Sequence, residues 1–456
     1  MGGAAGRRRR PGVGSAVVSA LTERLLPHVP RYLVRRRLAP GGLGTWGVRE
    51  TGTLLHADFQ GFTRLTERLA AFGADGALAL GDILNRYFRM LLDEIALERG
   101  ANLVAFGGDG FTLVSFDPDG PAQLVAAGLE MQEALALFPV VETPAGEFEL
   151  ALRVGVHRGP FFHGVVEVAE SAQYLLGGRT LESVVRLEER AQPGTVAISR
   201  EIARALGESV RVEEAGEGLR VAGFDARPPR RPPGARTVAA GPERLTRAVA
   251  PLISKGVRER LLETPEAPRL APEYRPATAL FVALRGLPLD GDPLRVAPVL
   301  EKVLTGMKTL MDTLGPPVRK WDVAEEGLKM IFLYGLTGDP QHAFHAAATA
   351  YLLREALCSE DGRFSLAFGL ASGMVWTGEV GGAGRREYTA LGDALNLAAR
   401  LAQQARPWEI LCGEDLAEAL SEVGEVAFRA PMRLKGKATP VRCGALVGLP
   451  LAEGTS

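Results

Sequence analysis

The sequence predicts an α+β fold in which two ferredoxin-like domains pair within one chain. Three observations predict it: a length of 456 residues, a proline- and arginine-rich break near the middle, and one order of elements repeated on both sides of that break. A chain of this length suits two hydrophobic cores rather than one. The repeated order is strand, helix, strand, strand, helix, strand, which is typical of a split βαβ domain with a central antiparallel hairpin.

The first copy begins with an apolar run at residues 51–58, which predicts a strand. Apolar residues at helical spacing then predict a helix over 63–99. The runs NLVAF and FTLVSF, joined by GGDG, predict a β-hairpin. A helix over 121–138 and a strand over 149–156 complete this copy.

The second copy has the same order of elements. The pattern predicts a strand over 277–284, a helix over 294–314, hairpin strands PVRKWDV and LKMIFLYG, a helix over 341–357 and a strand over 364–372. Two such copies packed against each other would form an intramolecular pseudo-dimer.

Composition changes mark the domain boundaries. The breaks are APGG at 39–42, ARPPRRPPGAR at 226–236 and TPEAPRLAPEYRP at 264–276, and proline and glycine at this density end helices and strands. The predicted parts are a basic tail with a helical segment (1–45), a first domain (46–227), a linker with one helix (228–274), a second domain (275–450) and a short tail (451–456).

Composition and charge exclude several classes of function. Lys and Arg number 53 against 54 Asp and Glu, so a net charge of -1 gives no overall attraction to nucleic acid. No apolar stretch approaches the roughly 18 residues that span a membrane, and we predict a cytoplasmic protein. The run Arg7–Arg10 is interpreted as a solvated tail, with weak contact to anionic lipid or nucleic acid as the alternative.

Two aspartates are the strongest candidates for metal ligands. Asp58 ends the first strand and Asp109 stands at the tip of the neighbouring hairpin, so the two carboxylates are expected to converge. Mg²⁺ is commonly held by one or two carboxylates together with substrate phosphates, and two such ions can bind an attacking hydroxyl and a leaving phosphate. The alternative is that Asp109 is only a turn residue and Asp58 only a polar strand end.

The segments DFQGFT and FGGDGF, followed later by RREYTALGDALNLAAR, resemble the class III nucleotidyl cyclases. The tandem arrangement is similar to the bicarbonate-stimulated soluble adenylyl cyclases and their bacterial relatives. The resemblance covers roughly residues 48–448. It implies two cyclase domains packed as a pseudo-heterodimer, with one composite site between them.

The resemblance assigns the metal and phosphate side of that site to the first domain. It implies two Mg²⁺ ions, with Mn²⁺ as an alternative, held by Asp58, Phe59 and Asp109. The further substrate-binding positions it implies are Phe59, Gly61, Phe62, Thr63 and Gly108.

The resemblance assigns the nucleotide side to the second domain. Lys320 and Thr389 match the positions that contact adenine, and this pair favours ATP over GTP. Arg319 and Lys329 are nearby alternatives to Lys320.

Two further positions match the residues that act on the ribose and the phosphates. Asn396 and Arg400 are four residues apart and therefore share one face of a helix. An asparagine there can hydrogen-bond a ribose oxygen, and an arginine can stabilise charge that develops on a phosphate. The alternative is a polar pair on a solvated helix face.

A second pocket is expected to be degenerate. The first domain has Glu182 in place of the asparagine and Ala105 in place of the lysine, and it retains Arg186. The second domain has Leu284 and Glu326 at about the positions of the two aspartates. In the bicarbonate-stimulated relatives this pocket holds the activator; Ala105 disfavours bicarbonate here and leaves a small anion as the candidate regulator.

The implied activity is that of an adenylyl cyclase, which converts ATP to 3′,5′-cyclic AMP and pyrophosphate in a monomer with internal domain pairing. Two alternatives stay open: a catalytically inactive cyclase-like module that senses nucleotides, and a guanylyl cyclase. A diguanylate cyclase is disfavoured because Gly110 stands where that family has a carboxylate.

Overall fold

The fold consists of two similar sheets with helices packed against them, and the predicted fold class is confirmed. The computed structural model describes residues 20–451 apart from 217, 226, 231–239, 265, 288, 315–317, 325–326, 337, 359–363 and 435–438. The arginine run at 7–10 and Glu326 therefore lie outside the described residues.

The first sheet has eight strands in the order β2-β3-β1-β6-β8-β10-β9, with β7 paired to β6. A separate hairpin, formed by β4 (Val140–Thr143) and β5 (Gly146–Glu149), was not predicted from the sequence. The strands of the sheet are β1 (Trp46–Gln60), β2 (Asn102–Gly107), β3 (Gly110–Ser115), β6 (Ala151–Val168), β7 (Ser171–Gly177), β8 (Val196–Ile198), β9 (Val210–Ala215) and β10 (Gly218–Phe224).

The second sheet repeats this topology in the order β12-β13-β11-β14-β16-β18-β17, with β15 paired to β14. The predicted duplication is thus visible in the strand order itself. The strands are β11 (Glu273–Arg285), β12 (Val318–Ala324), β13 (Gly327–Tyr334), β14 (Ser365–Gly381), β15 (Arg386–Leu391), β16 (Ile410–Gly413), β17 (Glu425–Phe428) and β18 (Cys443–Gly448).

The helices differ from the predicted ones mainly in where they break. The predicted helix over 63–99 is divided, and α3 continues directly into a π-helical segment, Arg89–Ala96. The linker helix is divided at Ala250–Leu252, where Pro251 lacks the N–H that a continuous helix needs. The α-helices are α1 (Arg31–Leu38), α2 (Phe62–Ala70), α3 (Gly73–Phe88), α4 (Gly120–Ala136), α5 (Arg179–Arg190), α6 (Arg200–Leu206), α7 (Pro242–Val249), α8 (Lys255–Glu263), α9 (Pro293–Leu314), α10 (His342–Leu357), α11 (Asp393–Gln404) and α12 (Glu414–Ser421).

The strand registers define which residues of the two domains are equivalent. Gly155 of β6 pairs with β8, and Gly369 of β14 pairs with β16 in the same way. The partners of these two glycines in β1 and β11 therefore occupy equivalent positions, and this equivalence aligns the two strands. This alignment places Ala283, rather than Leu284, at the position of Asp58. The sequence comparison was wrong by one residue there, because apolar strands carry little information about register.

The two domains are held together by a buried aromatic contact. Trp376 of β14 is fully buried in the core cluster of the first domain, and its indole nitrogen donates to the carbonyl of Ala77 at 2.9 Å. Gly378 of the same strand leaves room for the ring, since a Cβ atom there would lie 2.7 Å from Cη2 of the indole. The second sheet therefore docks directly onto α3 of the first domain.

The N-terminal and linker helices form a third layer on the interface. α1, α7 and α8 share one apolar cluster with residues of both sheets. Arg37 of α1 is buried; its guanidinium donates to Glu167 of β6 at 3.0 Å and to the carbonyl of Ala248 at 2.6 Å. Among the described residues, no helix has the length and hydropathy that crossing a bilayer requires.

We expect Trp376→Ala to lower the free energy of unfolding by about 3–5 kcal/mol, because it empties a buried ring site and removes a hydrogen bond. Chemical denaturation measures this change. Met374→Ala on the same strand is the control, since Met374 is 55% exposed. A similar loss in both variants would contradict the proposed importance of the aromatic contact.

Candidate active site

The two domains enclose a cavity of about 330 Å³. The first domain contributes the end of β1, the β2–β3 turn, α2 and α5, and the second contributes β13, β15 and α11. Predicted site residues from both domains line it: Asp58, Phe62, Thr63, Gly108, Asp109, Thr389, Asn396 and Arg400.

Asp58 and Asp109 lie side by side in this cavity. Asp109 occupies the two-residue turn between β2 and β3, where Gly108 adopts a φ of 76° that favours glycine. Their carboxyl groups are close enough for each to influence the pKa of the other. Burial raises the pKa of Asp58; burial and the neighbouring Asp58 raise the pKa of Asp109 well above its usual value. The aspartates therefore converge as the sequence analysis expected.

Arg153 is a site residue that the sequence analysis missed. It lies directly opposite Asp58 in the β1–β6 ladder, and its Nη2 is 3.1 Å from Asp58 Oδ2. Its Nε is 2.9 Å from Oε1 of Glu188, a buried residue of α5. The guanidinium therefore links Asp58 of β1 to Glu188 of α5. Its position opposite Asp58 follows from the strand register, which the sequence alone did not supply.

The aspartate pair fits divalent cations. Two half-buried carboxyl groups that lie close together repel each other when both are ionised, and a cation between them relieves that repulsion. The cavity lining carries more acidic than basic side chains, so a polyphosphate would enter more readily together with metal ions. Among the described residues, no group of three or more His, Cys, Asp or Glu side chains is arranged to hold a metal.

The start of α2 contributes to the same cavity. Gly61 precedes the helix with a φ of 90°, and a Cβ atom there would lie 2.6 Å from the carbonyl of Glu149. Phe62 and Thr63 of its first turn line the cavity, where unpaired helix N–H groups favour anions. The ring of Phe59 packs in the core against Phe62. The main-chain carbonyl of Phe59 is therefore the group of this residue that could coordinate a metal.

The second domain presents three polar residues to the cavity. Thr389 is buried on β15 and pairs with Gly378 of β14. Asn396 and Arg400 lie on α11, which starts at Gly392 with a φ of 152°. Nη1 of Arg400 is 3.0 Å from Oε1 of Gln403. The predicted nucleotide side thus faces the predicted metal side across one cavity.

Lys320 is described only in its backbone. It stands on β12 opposite Ile331, a residue of β13 that lines the cavity. Its side chain lies outside the described residues. Ala105 holds the equivalent register in the first domain, opposite Thr112. The alternative Lys329 lines the cavity directly.

The residues assigned to the degenerate pocket do not meet in one cavity. Ala105 and Leu175 line a separate space of about 150 Å³, which is closed by residues 28–33 and by the linker between α7 and α8. Arg186 lines a different groove, between α5 and the β9–β10 hairpin, and Glu182 does not line the closed space. The N-terminal and linker layer explains this separation, because its apolar side chains fill the interface there.

Comparisons with known proteins identify relatives among the nucleotide cyclases. Residues 48–226 match the family model described as the adenylate and guanylate cyclase catalytic domain. Human adenylate cyclase type 10 is 23% identical over 386 residues, which are 77% of this chain and 23% of that protein. The Dictyostelium discoideum membrane guanylyl cyclase is 24% identical over 172 residues, 37% of this chain and 11% of that one.

The fold as a whole also has a solved counterpart. A class III adenylyl cyclase-like ATP-binding protein from Pseudomonas aeruginosa covers 90% of this chain and 93% of its own, with a TM-score of 0.58 and 14% identity. This likeness concerns the fold. The chain spans about a quarter of the length of the curated type 10 relatives. The resemblance to the class III cyclases seen in the sequence is thus confirmed, with the family model matching residues 48–226.

We expect Arg153→Leu to lower the free energy of unfolding by about 3 kcal/mol, because Asp58 and the buried Glu188 lose a shared cation. Urea denaturation measures the change. Arg200→Leu breaks an exposed ion pair with Glu214 and should lose less than about 1 kcal/mol. Equal losses would show that the Arg153 ion pairs stabilise the fold no more than an exposed ion pair does.

Proposed function

We propose that this chain, whose first domain belongs to the class III cyclase family, is an adenylyl cyclase that converts ATP to 3′,5′-cyclic AMP and pyrophosphate. The reaction takes place at one composite site, with two divalent ions, Mg²⁺ or Mn²⁺. One observation carries the proposal: the aspartates of the first domain and Thr389, Asn396 and Arg400 of the second line a single cavity.

The asymmetry between the domains supports a single site. Ala283 replaces Asp58 in the second domain, and Glu182 replaces Asn396 in the first. Each half therefore lacks a group that the other half has. A complete set of site residues therefore forms only where the two domains meet.

ATP is favoured as substrate by the residues at the base positions. The hydroxyl of Thr389 can accept a hydrogen bond from the amino group of adenine, and the lysine at position 320 can donate to a ring nitrogen. Guanine presents a carbonyl where adenine has its amino group, so a different pair would suit it. The resemblance, together with Thr389, supports this assignment.

The chemistry is an in-line displacement in which the ribose 3′-hydroxyl attacks the α-phosphorus, gives its proton to Asp58 or to water, and displaces pyrophosphate. Asp58 and Asp109, with the main-chain carbonyl of Phe59, would hold the ions, which when bound lower the pKa of the hydroxyl and neutralise the triphosphate. Asn396 orients the ribose, and Arg400 stabilises the charge that develops on the α-phosphate. The amides at the start of α2 receive phosphate oxygens.

A nucleotide-binding module without turnover is the second candidate, and Arg153 favours it. This guanidinium already contacts Asp58 and must share that carboxylate with any metal. A site in which Arg153 excludes metal would still bind nucleotide but would form no cyclic product.

Product assays with ATP and GTP, each with Mg²⁺ and with Mn²⁺, decide among these candidates. The proposal requires cyclic AMP from ATP, with cyclic GMP formed much more slowly. Absence of product under all metal conditions, together with nucleotide binding, would establish the inactive module. Equal rates with GTP would overturn the assignment of the base.

Asp109→Ala is expected to lower turnover by at least about a thousandfold, because one ligand of the metal pair is lost. The fold should be retained, as checked by circular dichroism and thermal melting. Glu147→Ala, at an exposed carboxylate of β5, is the control and should leave turnover unchanged. Normal turnover of Asp109→Ala would refute the metal assignment.

Asn396→Ala is expected to lower kcat by about a hundredfold while KM changes little, because the lost hydrogen bond acts mainly in the transition state. Steady-state kinetics with ATP separates the two parameters. Gln404→Ala, on an exposed position at the end of the same helix, is the matched control. A rise in KM equal to the fall in kcat would instead indicate a binding role.

A further inference from the structure

The tip of the β14–β15 hairpin is held by a carboxylate of the other domain. Asp93 lies in the π-helical segment Arg89–Ala96 of the first domain. Its Oδ2 accepts from the backbone N–H of Ala383 at 2.6 Å, and its Oδ1 accepts from that of Gly384 at 3.2 Å. A carboxylate that receives two backbone N–H groups makes strong, charge-assisted hydrogen bonds.

The hairpin tip has the glycines that this contact requires. A Cβ atom on Gly382 would lie 2.0 Å from Oδ2 of Asp93, so the carboxylate would have to move away from the tip. A Cβ atom on Gly384 would lie 2.6 Å from Cδ1 of Leu97, which begins the 3-10 turn Leu97–Arg99 directly after that segment. Gly381 adopts a φ of 114°, which other residues rarely adopt. The segment GGAG therefore fits closely against the Asp93 face of the first domain.

The same hairpin leads directly into the nucleotide side of the site. β15 begins at Arg386, carries Thr389 and ends at Leu391, and Gly392 then starts the helix with Asn396. Paired strands are stiff along their length, so a displacement of the tip also moves these residues. The hairpin thus connects the Asp93 contact at its tip with the proposed base subsite at Thr389.

Other contacts on this hairpin come from the N-terminal segment, from the linker and from α3, where Nδ2 of Asn85 donates to the carbonyl of Glu379 at 3.3 Å. Glu379 of β14 forms a buried ion pair with His28 at 2.8 Å and accepts from the N–H of Leu270 at 2.6 Å. Arg269 donates to the carbonyl of Gly381 at 2.9 Å. Asp93 differs because it is the carboxylate of the first domain that holds the tip itself, at Ala383 and Gly384, and β2, which leads to Asp109, starts soon after it.

We propose that Asp93 is a positioning residue that sets the place of the β14–β15 hairpin, and with it Thr389, relative to the metal-binding aspartates. This inference rests on the proposed nucleotide site. Asp93 does not touch the substrate; it acts on nucleotide affinity and base selectivity through the hairpin. A purely structural role would change stability alone.

The experiment compares Asp93→Ala and the milder Asp93→Asn with a matched control, Asp290→Ala. Asp290 of the second domain accepts from the N–H of Arg179 at 3.2 and 3.3 Å, and so anchors α5 across the degenerate side of the interface. Three quantities are measured in each full-length protein: melting temperature, Kd for a fluorescent ATP analogue with Mg²⁺, and hydrogen exchange of the 382–391 amides.

Asp93→Ala should raise the Kd and the KM for ATP about tenfold, because it removes both charge-assisted hydrogen bonds at the hairpin tip and part of that loss reaches the base subsite. It should also reduce the preference for ATP over GTP and speed exchange at 382–391, with Asp93→Asn intermediate. Asp290→Ala should lower the melting temperature similarly and leave the Kd unchanged.

An unchanged Kd in Asp93→Ala, or an equal rise in Asp290→Ala, would overturn the positioning role. If the wild-type chain binds the analogue without forming cyclic product, the proposed activity fails, and the Kd comparison still decides the role of Asp93. If the wild-type chain binds no nucleotide, no base subsite exists for Asp93 to position, and the inference fails with it. Exchange at 382–391 that stays unchanged in Asp93→Ala would show that the hairpin does not depend on this carboxylate.

Discussion

The site depends on one constraint: groups from two domains must meet in one cavity, so the interface has to be as well ordered as a domain core. The docking of Trp376 onto α3 provides that order, because an indole buried in the other domain's core permits little sliding. The Asp93 contact fixes the same hairpin at a second point. Between these two contacts, β14 and β15 present Thr389 towards the aspartates.

Much of the fold could be predicted from the sequence because the duplication shows the same pattern twice. The hairpin with Asp109 followed from the GGDG link, and the helix with Asn396 and Arg400 from their spacing. Helix interruptions were harder to predict. The π-helical segment at Arg89–Ala96 keeps the apolar spacing of an ordinary helix, and what distinguishes it, the contact of Asp93 with the other domain, is not visible locally.

The site was predictable where residues carry a distinctive chemical pattern and unpredictable where only register places them. Arg153 lies in an ordinary strand sequence, and its importance comes from standing opposite Asp58. The counterpart of Asp58 in the second domain was placed at Leu284 instead of Ala283 for the same reason. The degenerate pocket was predicted from equivalent positions, but the N-terminal and linker helices, which have no counterpart in either domain, fill part of that interface and separate Ala105 from Arg186.

The connection between the domains has a kinetic consequence. Its first residues are fastened to the first domain, where Arg227 pairs with Glu133 and Arg230 with Glu98. A tether held in this way keeps the second domain at a high effective concentration near its partner, so dilution does not separate them. Formation of the complete cavity is then a first-order event, independent of how many copies of the chain a cell contains. A two-chain arrangement of the same halves would instead respond to expression level.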